Sequence, residues 1–138
     1  DDANATKHFS SAGIPADGDG SNKIDGDFNS TTDKAETRLL WADLRAAGLV
    51  KGSGSNQSQP TTPFGGVYGF QLGAFNGTFT TNVLCLSDVP GDAAMSIDSR
   101  LDDGVRNTGS VMANGSVTTA VDGAAYDAAQ TYVMCAKL

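Results

Sequence analysis

Residues 17 to 28 read DGDGSNKIDGDF, which places four aspartates, three glycines and one lysine in twelve positions. Hard carboxylate oxygens at alternate positions are the donors that calcium takes, and the spacing follows the calcium loop of an EF-hand. Asp17, Asp19, Ser21 and Asp25 fall at positions 1, 3, 5 and 9, and Lys23 offers its carbonyl at position 7. Asp27 stands in reserve. Position 12, where a bidentate glutamate belongs, is Phe28. Without a cation, four carboxylates with only one ammonium among them repel one another. The stretch is therefore read as a weak calcium loop or as a solvated acidic turn.

Other chemistry has little to build on. His8 is the only histidine and lies in an irregular N-terminal segment, with no partner at triad or acid–base spacing. Asp102 and Asp103 could form a carboxylate pair, but a helix-ending turn explains them better. No phosphate-binding loop, dinucleotide fingerprint or zinc-protease motif occurs. The sequence reads as a protein that is not an enzyme.

The composition fits that reading. At 138 residues the chain is expected to form one domain over 1–138, burying about two-thirds of its unfolded surface. Its negative charge of −7 comes from fifteen Asp and one Glu, Glu36. Aspartate favours turns and caps where glutamate favours helices, so the bias predicts a loop-rich fold. Nine scattered Lys and Arg on an acidic surface make nucleic acid an unsuitable partner. No apolar stretch is long enough to span a bilayer, so no membrane contact is expected of this segment.

The elements that must position these residues follow from local pattern. Residues 1–32 show no sustained period and are expected to form an extended ordered loop. Thr32 or Asp33 opens a helix in which Asp33 and Glu36 suit a capping box, and Leu40, Leu44 and Ala47 share a face beside Trp41. Gly48 ends it, with Leu49 folding back. Residues 51–63 read as a polar loop. Asn76-Gly77 then joins two alternating runs as a type I′ hairpin. A two-residue turn pairs Ala74 with Phe79 and Tyr68 with Cys85. That register places Tyr68, Phe70, Leu72, Phe79, Val83 and Cys85 on one core face, and Gln71, Gly73, Thr80 and Asn82 on a wet one. Pro90 opens a shorter helix with Ala94, Ile97 and Leu101 on its inner face, ended by Asp102-Asp103-Gly104. Asn114-Gly115 predicts a second hairpin between GSVMA and SVTTAV, and TYVMCAKL a last strand.

Cys85 and Cys135 stand without metal spacing beside them, either as two buried thiols or as a disulfide. The Gly, Ser, Thr and Asn richness favours an oxidising compartment and the bond. A last strand beside the central one would bring the sulfurs together.

The ordered set DDANATKHF, DGDGSNKIDGDFNS, RLLWADLRAAGLV, PFGGVYGFQ, CLSDVPGDAAMSIDSRLDDGVRNTGSV and TYVMCAKL resembles the globular head of a type IV pilin or pilin-like protein. The resemblance covers essentially the whole chain. It implies an α+β fold: an antiparallel sheet of about four strands with one well-defined helix, one short helix and long loops. It also implies a late disulfide, which Cys85 and Cys135 match. The family's long apolar N-terminal helix, which completes the fold and builds the filament, is not in these residues. It is expected either from a preceding segment or from a separate short chain, docking on Tyr68, Phe70, Leu72, Phe79 and Val83.

The implied function is a structural subunit of an extracellular surface filament, with other pilin subunits as partners and calcium as the one candidate cofactor. A pseudopilin of type II secretion is the alternative within the family. A secreted calcium-dependent binding module is the alternative outside it, and its sheet face would be closed by its own residues.

Overall fold

The computed structural model describes residues 2–138. The fold is α+β. Helix α1 (Ala5–His8) and helix α2 (Glu36–Ala46) precede strands β1 (Tyr68–Ala74) and β2 (Phe79–Pro90); α3 (Gly91–Leu101), β3 (Val111–Asn114) and β4 (Thr131–Lys137) follow. The four strands form one antiparallel sheet in the order β1-β2-β4-β3. The sheet's two outer edges are closed by the chain itself, which blunts the pairing an open edge invites. On β1 the N–H of Tyr68 donates to Pro60 and that of Leu72 to Ile24, while on β3 Ala113 donates to Arg106.

The hairpin turn forms as the Asn-Gly pair predicts, with Asn76 at φ 54°, Gly77 at φ 83° and Thr78 N–H donating to the Phe75 carbonyl. The register beyond it does not. Between the Leu72–Asn82 and Ala74–Phe79 pairs, Gly73 alone on β1, at φ 71° in a left-handed conformation that glycine adopts without strain, stands opposite Thr80 and Thr81, so the extra residue of the bulge lies on β2. Ala74 still opposes Phe79, but Tyr68 now opposes Leu86 and Gln71 opposes Val83. A one-residue slip exchanges the faces. Tyr68, Phe70 and Leu72 therefore lie on the opposite side of the sheet from Val83 and Cys85, and the expected single face is corrected. Gln71, expected in water, is 7% exposed. Its amide oxygen accepts the Phe28 N–H at 3.0 Å, and its nitrogen donates to the Gly73 carbonyl.

The two faces have separate cores. On one, Phe28, Phe75, Phe79, Val83, Met112 and the two cysteines pack together, with Val117 and Val121 against them. Phe28 crosses so near β1 that a Cβ on Gly69 would clash with its carbonyl oxygen. On the other face Val89, Ala94, Val111, Ala113, Tyr132 and Met134 form the second core under α3. Cys85 and Cys135 oppose each other on β2 and β4, 4.1 Å apart at Cα, and are disulfide-bonded. Among the described residues no helix is long and apolar enough to cross a membrane.

Five further expectations are corrected. Helix α2 starts at Glu36 rather than at 32 or 33, because Lys34 turns the chain at φ 60° and the capping box does not form. Asp33 instead accepts from the Gln57 amide at 2.7 Å. The buried side of α2 carries Thr37, Leu39, Trp41, Ala42 and Arg45, while Leu40 and Leu44 are half-buried and Ala47 exposed. Trp41 packs on Phe70 (ring centroids 5.3 Å), and Arg45 donates to the Asn56 and Ser58 carbonyls, pinning the 51–63 loop. At the other end Gly48 and Leu49 close the helix through N–H bonds to Arg45 and Leu44, but the Leu49 side chain stays exposed. Leu101 likewise faces solvent on α3, where Asp98 takes the buried position. Finally, residues 116–121 form no strand. Asn114 instead holds that segment by donating to Thr119 and to the Ala120 carbonyl.

Candidate cation site and docking face

The acidic stretch splits in the fold. Asp17 leaves it: its two carboxylate oxygens accept from the N–H and hydroxyl of Thr6, at 2.7 and 3.0 Å. Asp27 is exposed and is not among the carboxylates brought together. Ser21 donates its N–H to Asp19 and accepts the Lys23 N–H on its hydroxyl. Ile24 is buried and anchors the loop through its carbonyl on β1. Phe28 is a core side chain and cannot supply a ligand.

A glutamate from outside the twelve residues joins Asp19 and Asp25. Glu36, in the first turn of α2, accepts the N–H of Asp19 at 3.0 Å and of Asp25 at 3.1 Å. Carboxylate oxygens of Asp19, Asp25 and Glu36 all lie within 4.8 Å of one another. The Ser21 hydroxyl and N–H foremost, and last the Lys23 charge, hold the Asp19 carboxyl below its ordinary range. Three carboxylate oxygen donors suit calcium better than a transition metal. Sequence reasoning spent Glu36 on a helix cap. The signal it left was the only glutamate in the chain, placed where the acidic loop returns to a helix.

A second acidic group, Asp98, Asp102 and Asp103, is a brace. Buried Asp98 accepts the Tyr126 hydroxyl at 2.6 Å and the Gly104 N–H at 3.2 Å. Asp102 accepts the N–H groups of Ser110 and Val111, and Asp103 the Thr108 hydroxyl and the Val105 N–H. These bonds tie the end of α3 to the start of β3. His8 pairs with Asp2 at 2.9 Å on the surface.

The docking residues divide with the bulge. Phe79 and Val83 are fully buried under the chain's own Phe28 and Phe75 side. Tyr68 and Phe70 are half-buried and Leu72 is 37% exposed, beside Leu84 and Leu86 of β2, which are also half-buried. Helix α2 lies against β1, with Trp41 on Phe70, and α3 packs on the second core at β2, β3 and β4, where Leu86 also packs.

Fold and site together define a small disulfide-bonded α+β domain with one half-open apolar sheet face and an acidic loop. Comparisons with family models, curated proteins and solved structures find no match to the chain.

Proposed function

We propose that the chain is the globular head of a pilin-like filament subunit, and that Tyr68, Phe70 and Leu72, with Leu84 and Leu86, receive an apolar helix from outside residues 1–138. The observation that carries this reading is the asymmetry of the sheet. One face is closed by the chain's own side chains, whereas the β1–β2 part of the other keeps large apolar groups half-open. Such surfaces mark interaction sites. The order of the sequence segments and the late disulfide support the same reading, and the bond suits an extracellular or periplasm-exposed head. The docking set differs from the sequence expectation, since Phe79 and Val83 leave it and Leu84 and Leu86 enter. Leu72→Asp tests it. Leu72 is on the surface, so the head's melting temperature should move little, while incorporation into filaments should be lost. Normal filaments from the variant would remove this face from the account.

The acidic loop favours a second reading, a secreted calcium-dependent module, and a calcium site is compatible with both. Asp19, Asp25 and Glu36 would hold the ion, with a dissociation constant of roughly 10⁻⁴ to 10⁻³ M, as in extracellular modules. At a hundredfold excess of calcium the folded state gains about 2.7 kcal/mol by mass action. The melting temperature should rise with calcium in the wild type and stay fixed in Glu36→Gln. An unmoved wild-type curve would make the loop a solvated turn, and a shift retained in Glu36→Gln would place the site elsewhere.

A further inference from the structure

The chain holds two Asn-Gly pairs, Asn76-Gly77 and Asn114-Gly115, and the fold treats them oppositely. Where glycine follows asparagine, its backbone nitrogen can reach the asparagine side-chain carbonyl carbon with least hindrance, because glycine brings no Cβ to block the approach. Both glycines stand in open space: a Cβ on either would meet nothing within 4 Å. The asparagines therefore decide. Asn114 is 8% exposed. Its amide nitrogen donates to the Thr119 hydroxyl at 3.0 Å and to the Ala120 carbonyl at 2.9 Å, and its oxygen accepts from Arg106 at 3.4 Å. Asn76 is exposed at the tip of the β1–β2 hairpin. Neither its side-chain amide nor the Gly77 N–H has a hydrogen-bond partner among the described residues. Nothing holds that amide away from the next peptide.

We propose that Asn76 is a site of spontaneous modification by intramolecular deamidation, and that the bonds on Asn114 protect the second pair from the same reaction. The Gly77 nitrogen gives up its proton and bonds to Cγ of Asn76. The Cγ–Nδ2 bond breaks, and the amide nitrogen leaves with that proton as ammonia. Water then opens the five-membered succinimide at one carbonyl or the other, leaving aspartate or isoaspartate at position 76. Solvent water is the only co-reactant. Either product adds one negative charge to the chain. Isoaspartate also lengthens the backbone inside a turn that is closed by the Thr78 N–H on the Phe75 carbonyl at 3.2 Å, next to a fully buried Phe75. The modification therefore acts on the link that sets β1 against β2.

The test is incubation of the intact, oxidised chain in mildly alkaline buffer, folded and in urea, followed by peptide mapping with separation of the asparagine, aspartate and isoaspartate forms. In the folded chain Asn76 should convert and Asn114 should lag by about a hundredfold, the factor that breaking three side-chain hydrogen bonds of ordinary strength implies. In urea the two pairs should convert at similar rates, since each then has only its own Asn-Gly chemistry. Asn76→Gly keeps a residue that accepts the left-handed turn and should remove the acidic product from the folded protein. Folded Asn76 remaining intact while the unfolded chain converts would overturn the proposal. So would Asn114 converting as fast as Asn76 in the folded chain, or an undiminished acidic product from folded Asn76→Gly. The wild-type comparison of the two pairs decides the matter even if the variant folds poorly.

Discussion

Replacing both cysteines, Cys85→Ser with Cys135→Ser, should cost about 2–5 kcal/mol of stability, the largest single loss expected in this domain. The bond closes a separation of 50 residues and joins the two central strands, with both cysteines fully buried in the first core. In the chain-entropy description a loop of that length restrains the unfolded chain by about 4 kcal/mol. The substitution also leaves hydroxyls in an apolar core without assured partners. Urea unfolding of the oxidised wild type and the double variant measures the difference directly. A loss below about 1 kcal/mol would mean that the bond is peripheral to the fold's stability.

Gly69→Ala should destabilise by up to about 3 kcal/mol, in the range of a forced overpacking. The added methyl clashes with the Phe28 carbonyl oxygen, and backbone cannot rotate away as a side chain can. Relief requires Phe28 to lift from the first core or β1 to shift against β2. The prediction is also a test of register. Without the bulge at Gly73, position 69 would lie on the wet face, where alanine in place of glycine tends to stabilise a strand by reducing unfolded-state freedom. The sign of the change in urea midpoint decides between the two registers.

These two sites show what the sequence made legible. The Asn76-Gly77 turn, the disulfide, α3 and the final strand were readable because each rests on local chemistry: positive φ at a turn, an even cysteine pair, a proline followed by a helical period, and alternation. The register was not, since the slip falls where left-handed Gly73 stands opposite two β2 residues, and one glycine among several in FGGVYGFQLG carries no mark of it. From that single residue follow the burial of Gln71 and the division of the docking residues. The second hairpin failed for a related reason. Asn114-Gly115 has turn chemistry, but the Asn114 side chain is spent on holding 119–120, and Val117 and Val121 pack inward from a loop. At the acidic loop the spacing named Asp19 and Asp25, whose carboxylates the fold brings near that of Glu36. It could not find Glu36, whose approach depends on how the chain folds between Phe28 and α2.

The tertiary roles of polar residues were the least visible. Arg45, Gln71 and Asp98 are buried and fully engaged, each at a position where periodicity alone assigns either water or an apolar neighbour. Burial with partners is how a domain of this size keeps polar groups inside without losing stability. The same accounting leaves one buried side-chain atom each of Thr37, Arg38, Trp41, Asp43 and Asn82 without a hydrogen-bond partner among the described residues.

The most direct test of the central claim is a photocrosslinker at position 72 in assembled material, with the joined peptide identified by mass spectrometry. The pilin-like account predicts a crosslink to an apolar helical segment outside residues 1–138, and the loss of that product in material disassembled before irradiation. Crosslinks confined to residues 1–138, in protein that sediments as a monomer, would contradict it.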